Sequence, residues 1–360
     1  MEKTILPVSF FLGVNNKTRY CSLFGELYDP YEKGCNIILK GGPGTGKSTL
    51  MKKVARLADE RGYYTERGFC SADPASLDAV SVPQKAFNIF DGTSPHIIEP
   101  TLPGVTEHIV DLGVAWNRTA LREHTNEIAE LTKANKAQHK KVADFMRAAA
   151  HIETQGVLIC SEFIDKEKVL RYARRLCARI LPSENRNQRG RLKKRFLSGV
   201  TPEGIRVFHE TTVALSENII TIEDEYNAVA PFIMEYVCNE ALERGYDVYG
   251  CFCPLFPEFK MEHIIIPELS LACVTENDYH YSIYDECKRI HASRFLDGNA
   301  YSKNKEKLRF LKKAKRELID ESVKKLILAK DIHDKLEEYY INATDFGVID
   351  EIGEKIIKSI

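Results

Sequence analysis

The chain has 360 residues, of which 44% are hydrophobic and 29% charged, and its formal net charge is −1. This composition is typical of a folded globular protein and excludes a disordered or fibrous one. The near-zero net charge provides no whole-chain attraction to nucleic acid or to a membrane, and the length suits two domains of ordinary size.

The N-terminal residues 1–17 contain neither a basic start nor a long apolar stretch, so we expect no signal peptide. No apolar run approaches the roughly 18 residues that span a bilayer. The ten cysteines are scattered, and several lie in apolar runs, which favours buried reduced thiols over disulfides. These features predict a cytoplasmic protein with no membrane partner.

The first predicted elements alternate between strands and a helix. Residues 37–40 form an apolar run that predicts a strand, and residues 47–61 have helical periodicity that stops at Gly62. Residues 63–70 and 86–90 predict two further strands. Strands that alternate with helices indicate βαβ units and a parallel sheet, so the predicted fold class is α/β.

The segment between the first strand and the helix, GGPGTGKST (41–49), matches the phosphate-binding pattern G-x-x-x-x-G-K-[ST] in full. Its glycines let bare amides approach phosphates, and the helix N-terminus adds about half a positive charge. Lys47 would supply a charge to the β- and γ-phosphates, and Ser48 a hydroxyl to Mg²⁺. The predicted nucleotide contacts are Gly42, Pro43, Gly44, Thr45, Gly46, Lys47, Ser48 and Thr49.

A magnesium site of this kind also needs a carboxylate beside the loop. Asp91 ends the apolar run AFNIFD, where a Walker B strand would deliver one. Glu162, after VLICS, is the alternative. The chain contains an internal repeat, described below, in which Asp345 corresponds to Glu162. Asp345 follows a helical pattern and not a strand, which favours Asp91. The predicted metal-binding residues are therefore Ser48 and Asp91, and Mg²⁺ is a predicted cofactor.

A polar group, Ser71, Asp73 and Asp78, follows the second strand in CSADPASLD. Ligands gather at the carboxyl edge of a parallel sheet, so Asp73 could orient a water or accept a proton from a substrate hydroxyl. The alternative is that Asp73 and Pro74 start a turn that Ser71 caps. The predicted catalytic residues are Lys47, Asp91 and Asp73.

Two long segments, 118–152 and 303–340, have apolar residues at helical spacing and contain neither Gly nor Pro, which predicts long helices with one packed face. Residues 182–195 read as a basic polar linker, and their part 186–195 is the only hint of nucleic-acid contact, which we do not expect. Three arginines share a helix face, as a solvated surface or as a lid over phosphate: Arg171, Arg174 and Arg175.

The chain nearly repeats itself. ERGYYTERGFC (60–70) and ERGYDVYGCFC (243–253) agree at six of eleven positions, and the flanking segments stay collinear at offsets of 182 to 184 residues. This pattern predicts two tandem copies of a unit of about 180 residues that pack as an internal pseudo-dimer. The predicted domains are residues 1–182 (core about 20–113, helical segment 117–181) and residues 183–360 (core about 195–283, helical segment 300–360).

The second copy lacks the glycine-rich loop. At an offset of 182, residues 41–46 face residues 223–228 and Lys47 faces Val229. Three carboxylates would then lie where phosphate binds, and their charge would oppose a nucleotide. Asp91 faces Thr275 and Asp73 faces Phe256, so the polar residues of the first copy are lost together. We therefore predict a single working site.

With the glycine-rich loop, CSADPASLDAV, and DGTSPH followed by PGVTEHIVDLG (103–113), the chain resembles a family of bacterial tandem-repeat P-loop ATPases of about this length. The resemblance covers most of the chain. It implies a P-loop NTPase core, ATP as the nucleotide and hydrolysis as the reaction, without a settled physiological role. The degraded second loop departs from the family and puts any two-site mechanism in doubt.

Three functions are compatible with the predicted site. The first is a Mg²⁺-dependent ATPase that drives a conformational change in the helical segments or in a partner. The second is a small-molecule or nucleotide kinase with Asp73 as base, which would release little phosphate without its acceptor. The third is a nucleotide-gated binding protein with negligible turnover. We favour the ATPase hypothesis.

Overall fold

The computed structural model describes residues 6–183, 186–281, 283–284 and 287–360. The first five residues of the N-terminal segment and residues 184–185 of the predicted linker lie outside the described residues. Within the described part of the chain, none of the helices is both long and apolar enough to span a membrane. All ten cysteines are described, and none of them forms a disulfide.

The described residues form sixteen strands and eight α-helices. The strands are β1 Val8–Phe11, β2 Gly13–Asn16, β3 Arg19–Ser22, β4 Cys35–Lys40, β5 Glu66–Phe69, β6 Leu77–Val82, β7 Phe87–Asp91, β8 Glu107–Asp111, β9 Leu192–Arg195, β10 Ser198–Thr201, β11 Gly204–Val207, β12 Asn218–Glu223, β13 Val248–Cys253, β14 Phe256–Ile266, β15 Leu271–Glu276 and β16 Lys288–His291. The helices are α1 Lys47–Glu60, α2 Arg118–Glu123, α3 Thr125–Ser161, α4 Lys166–Ile180, α5 His209–Leu215, α6 Ala230–Glu243, α7 Gly298–Asn342 and α8 Phe346–Ile357.

The chain divides into two compact units, each with one six-stranded sheet. Unit 1 comprises Met1–Ala143, Val200–Gly204 and Ser322–Ile360, and unit 2 comprises Asp144–Gly199 and Ile205–Glu321. This division differs from the predicted domains, which gave each core its own helical segment. The last part of α7 and all of α8 belong to unit 1, whereas the last part of α3 and all of α4 belong to unit 2.

The sheet of unit 1 has the order β1-β5-β6-β7-β4-β8. The predicted parallel sheet is confirmed in part: most strands are parallel, but β6 runs antiparallel to both β5 and β7. Only the short 3₁₀ turn Pro83–Lys85 and Ala86 separate β6 from β7; this link is far too short for the crossover that a parallel pair needs. The remaining strands are parallel, so the carboxyl ends of β4, β5 and β7 share one edge with the start of β6.

The sheet of unit 2 has the order β16-β12-β15-β14-β13-β9, which is the same pattern in the second half of the chain. The predicted linker is wrong for residues 192–195, since they form strand β9, paired with β13. Basic residues are accommodated there because the Lys193 ammonium lies 5.2 Å from the centre of the Tyr249 ring and 3.5 Å from an Asp247 oxygen. The charge of Lys193 is thus met by an aromatic face and by an acid.

The core of unit 1 lies between its sheet and helices α1 and α8. Leu39 and Ile89 of neighbouring strands are fully buried against Met51 and Val54 of α1. Ile356 of α8 is buried in the same cluster. Burying side chains of this size contributes about 1.5–3 kcal/mol each, so this packing fixes α1, and with it the loop that precedes α1, against the sheet.

Candidate functional site

The glycine-rich loop lies where the sequence predicts, between the end of β4 and the start of α1. Gly44 and Gly46 have φ angles of 68° and 80°, a left-handed conformation that side chains disfavour. The buried Thr45 between them donates a hydrogen bond from Oγ1 to the carbonyl of Gly42 at 2.9 Å. Turns of this type create concave groups of N–H donors that bind anions.

Lys47 is the first residue of α1, and its side chain folds back over the loop. Its Nζ donates hydrogen bonds to the carbonyl oxygens of Gly41 at 3.0 Å and Gly42 at 2.7 Å. The same atom lies 3.6 Å from Oδ2 of Asp91. The ammonium group is therefore held by loop carbonyls and one carboxylate, all of which lie where a phosphate ligand would approach.

Asp91 ends β7, opposite Leu39 of the parallel strand β4, so its carboxylate lies beside the loop. Its Oδ1 accepts hydrogen bonds from the backbone N–H and the hydroxyl of Thr93, at 2.8 and 2.5 Å. Because Oδ1 is held in this way, Oδ2 remains directed at Lys47. Ser48 lies in the first turn of α1, and its Oγ accepts a hydrogen bond from the Leu77 amide at 3.0 Å, whereas Thr49 is exposed.

Asp73 lies in a turn between β5 and β6. Its carbonyl accepts from the amide of Ser76 at 2.8 Å, and its Oδ2 accepts from the Ser76 hydroxyl at 2.6 Å. The other carboxylate oxygen lies 3.6 Å from Nζ of Lys330 on α7. These contacts are those of the turn that we weighed as the alternative, and a role of Asp73 toward water or an acceptor stays a prediction.

Glu162 and the three arginines fall in the other unit. Glu162 follows helix α3 and not a strand, so the position differs from that of a strand-borne metal ligand. Arg171 pairs with Glu167 one turn away on the exposed surface of α4. The structure brings Lys47, Ser48 and Asp91 together in unit 1, whereas Glu162 belongs to unit 2.

The C-terminal end of helix α7 packs over the glycine-rich loop, a contact that no local sequence pattern predicts. The carboxylate Oε1 of Glu337 accepts a hydrogen bond from the Gly44 amide at 3.1 Å. A side chain on Gly42 would meet the rings of Tyr340 and Trp116 within 3.2 Å, and these two rings lie 5.6 Å apart. The loop therefore already holds an oxyanion, the Glu337 carboxylate, on one of its backbone donors.

No protein-family model, no curated protein and no solved structure matches the chain. The family resemblance of the sequence therefore stays a resemblance, and the chemistry of the site is argued from its own residues.

The corresponding loop of unit 2 adopts a related shape without the same residues. Asn227 has a φ of 54° and α6 begins at Ala230, which matches Gly44 and Lys47 at an offset of 183. The alignment of Lys47 with Val229 is therefore wrong by one residue, because the offset drifts across the loop and no identical residue anchors it.

The acidic side chains of this second loop have partners within unit 2. The buried Asp224 accepts hydrogen bonds at Oδ2 from the amides of Val229 and Ala230, both at 2.7 Å. Glu225 pairs with Lys312 at 2.6 Å. Asp224 thus fills the anion position of its own loop, and this occupancy replaces the charge repulsion that we expected.

A second polar group lies beside the site of unit 1, on the same edge of the sheet. Cys70 follows β5, Asp78 is in β6 and His96 follows β7, and one ligand atom of each lies within 4.8 Å of the others. We call these three residues the Cys–Asp–His cluster. Burial raises the pKa of Asp78, against the lowering effect of His96, and burial also raises the pKa of Cys70. The sequence signal for this group is the recurrence of Cys70 and His96 as Cys253 and His280, at offsets of 183 and 184 residues.

Proposed function

We propose that the chain is a Mg²⁺-dependent ATPase with one nucleotide site, formed by the glycine-rich loop of unit 1. The observation that carries the proposal is the joint placement of Lys47, Ser48 and Asp91 around a loop that binds a carboxylate on its Gly44 amide. Such a loop suits a phosphate, because a phosphate presents the same kind of oxygen with more charge.

The residues fit the proposed ligands in the following way. Lys47 would turn from the carbonyls of Gly41 and Gly42 to the phosphate oxygens, since an ammonium gains more from an anion than from a neutral carbonyl. Ser48 and Asp91 would hold Mg²⁺, Ser48 directly and Asp91 through a bound water. Magnesium would neutralise charge that develops on the transferred phosphoryl group.

Nucleotide binding would be coupled to α7. A phosphate on the loop and the Glu337 carboxylate compete for the Gly44 amide, because one N–H cannot serve both. ATP would therefore displace Glu337, and this displacement changes the contacts of α7 with the loop. That competition supports the hypothesis that the energy of hydrolysis is used for a conformational change.

We also propose that the two halves are tandem copies of one ancestral unit and that both cores are of the P-loop NTPase type. The identical strand order of the two sheets supports the duplication. Their matching 3₁₀ turns, Pro83–Lys85 and Pro267–Leu269, each followed by a left-handed residue, support it as well. Asp224 on its own loop amides supports a single working site.

The test is phosphate release from Mg²⁺-ATP together with the binding stoichiometry of ATP. The unmutated chain should bind one ATP per chain and release phosphate, and Lys47→Ala should lose both. Lys52→Ala changes an exposed lysine of the same helix and is the matched control. Binding without release would sink the ATPase proposal and favour the kinase or the nucleotide-gated protein, and two ATP per chain would contradict a single site.

A further inference from the structure

We propose that the Cys–Asp–His cluster of unit 1 is a binding site for one divalent transition-metal cation, with Zn²⁺ as the natural class. The proposal does not rest on the ATPase proposal, because it concerns neither the glycine-rich loop nor magnesium. A thiol, an imidazole and a carboxylate are the donor set that zinc takes, whereas Mg²⁺ takes oxygen ligands alone.

The first observation is that the three donors converge in a buried place. Asp78 and His96 are 5% and 6% exposed, and Nε2 of His96 lies 3.3 Å from Oδ2 of Asp78. That separation is close to the edge of a zinc tetrahedron built with bonds of about 2.0–2.1 Å to oxygen and nitrogen. Oδ2 of Asp78 is enclosed, and its neighbours are the two other donors of the cluster, the His96 imidazole and the Cys70 thiol. A buried carboxylate is costly unless it takes up a proton or a cation neutralises it, and a metal ion can replace that proton.

The second observation concerns the groups around the donors. Nδ1 of His96 forms a hydrogen bond with the hydroxyl of the half-buried Tyr20, which fixes the ring. When Nδ1 carries the proton, the lone pair of Nε2 is free to bind a metal, and a metal-bound histidine usually donates a hydrogen bond from its other ring nitrogen in this way. The backbone amides of Ala72 and Asp73 lower the pKa of Cys70, but burial outweighs them and raises it, so Cys70 becomes a thiolate only when a cation binds the sulfur.

The third observation comes from unit 2, which carries a cysteine, an acid and a histidine at corresponding positions, with glutamate in place of aspartate: Cys253, Glu262 and His280. There a lysine ammonium supplies the cation. Nζ of the buried Lys260 lies 3.6 Å from Sγ of Cys253 and 3.1 Å from Oε1 of Glu262. Lys260 precedes its acid by two residues in the strand, and the residue that precedes Asp78 by two is Ser76, which has no charge. The fold thus places a cation among these donors in unit 2, and unit 1 lacks the lysine.

Metal binding at this site would exchange a proton for the cation. The thiol of Cys70 gives up its proton to solvent as sulfur binds the cation, and Asp78 binds as the carboxylate. No electron is transferred. Three protein ligands leave the fourth tetrahedral position for a water molecule or another ligand.

The experiment is a Co²⁺ titration of the full, untagged chain after treatment with a chelator. One Co²⁺ per chain should bind and give the thiolate-to-cobalt absorption band, one equivalent of Zn²⁺ should remove the band, and a large excess of Mg²⁺ should not. Cys70→Ser should abolish the band. Cys253→Ser, which removes the corresponding thiol of unit 2, should keep it, and so should Lys47→Ala.

A variant that conserves shape guards against misfolding. Asp78→Asn keeps the Cys70 thiol and the His96 ring but removes the carboxylate ligand. It should weaken Co²⁺ binding at least about 10-fold, because even the loss of a group that only hydrogen-bonds a metal ligand costs about that much. The absence of the band in the unmutated chain would overturn the proposal. So would a band that persists in Cys70→Ser, or an unchanged Co²⁺ affinity in Asp78→Asn.

Discussion

At the scale of single residues, the charge of Lys47 has partners within the site. The ammonium of Lys47 is bound by loop carbonyls and by Asp91. Such a state is stable because a buried ammonium without partners would be costly. Ligand binding therefore has to exchange these contacts for new ones, and the residues whose contacts change are those whose substitution should have the largest effects.

Asp91→Asn should lower phosphate release from Mg²⁺-ATP by about 10- to 100-fold, because the amide keeps the shape and the bond to Thr93 but loses the charge that holds the magnesium shell. The measurement is the rate of phosphate release as a function of Mg²⁺ concentration, and the variant should require more Mg²⁺.

Asp111→Asn is the matched control. Asp111 ends β8, the other strand that pairs with β4, and also accepts a hydrogen bond from a backbone amide two residues later. An equal loss of activity in both variants would contradict the specific role of Asp91.

At the scale of elements, the central feature is the end of α7 over the glycine-rich loop. Gly42 and Gly44 permit this approach, because a Cβ at either position would lie within about 3 Å of an α7 atom. The same two glycines are those whose bare backbone a phosphate would need. The absence of side chains at these two glycines thus allows both the close approach of α7 and the binding of the proposed phosphate.

Glu337→Ala should tighten ATP binding by about 5-fold. The substitution removes the carboxylate that competes for the Gly44 amide, a contact worth about 1 kcal/mol at a partly exposed position. Alanine maintains the helix. The measurement is the ATP affinity by calorimetry in Mg²⁺ buffer.

Glu338→Ala, the exposed neighbour on the same helix, should leave the ATP affinity unchanged. Weaker ATP binding in Glu337→Ala would show that Glu337 assists the nucleotide, and the competition argued from the structure would be wrong.

At the scale of the whole molecule, the two units differ in how they treat buried charge. In unit 2, burial would raise the pKa of Glu153, but the ammonium groups of Lys260 and Lys315 lower it to about 2. The pKa of Glu262 is lowered to about 2 as well, since Lys260 and His280 outweigh the effect of burial. The pKa values of His263 and His280 are lowered, chiefly by burial.

This pattern makes unit 2 sensitive to acid. His263 stays neutral in the fold, near His280, Glu262, His209 and Lys260, but takes up a proton in the unfolded chain once the pH falls below about 6.5. Stability should therefore fall by up to about 1.4 kcal/mol per pH unit for each histidine held neutral. The pKa values of Glu153 and Glu262 are lowered from the ordinary 4.5 to about 2. The free energy of unfolding should therefore fall further as the pH drops from about 4.5 to about 2, because the unfolded chain takes up these protons first.

Denaturant titrations at pH 7 and pH 5 should detect the difference. The single tryptophan, Trp116, lies in unit 1 and reports that unit by fluorescence, whereas circular dichroism reports both. At pH 5 the circular-dichroism transition should begin at lower denaturant than the Trp116 transition, and between pH 7 and pH 8 neither should move. Two transitions that shift together at pH 5 would refute the assignment of acid sensitivity to unit 2.

The sequence by itself determined the local features of this protein. The apolar run of β4, the glycine-rich loop, the amphipathic helix α1 and the strand that ends in Asp91 are each encoded in a few consecutive residues, and the structure confirms these elements close to their predicted bounds. The near-repeat of two 11-residue stretches indicated the matching strand orders. Periodicity and turn residues act through neighbouring positions, so a single chain is enough to read them.

Only the tertiary structure decided which distant residues meet. Glu337 reaches the Gly44 amide across 293 positions of the chain. Asp224 turns back onto its own loop, and β6 reverses between two parallel strands. Cys70, Asp78 and His96 converge because the ends of β5 and β7 share an edge with the start of β6. Contacts of this kind depend on the packing of whole sheets and helices, whose free energy is spread over many side chains and leaves no signal at the residues that finally touch.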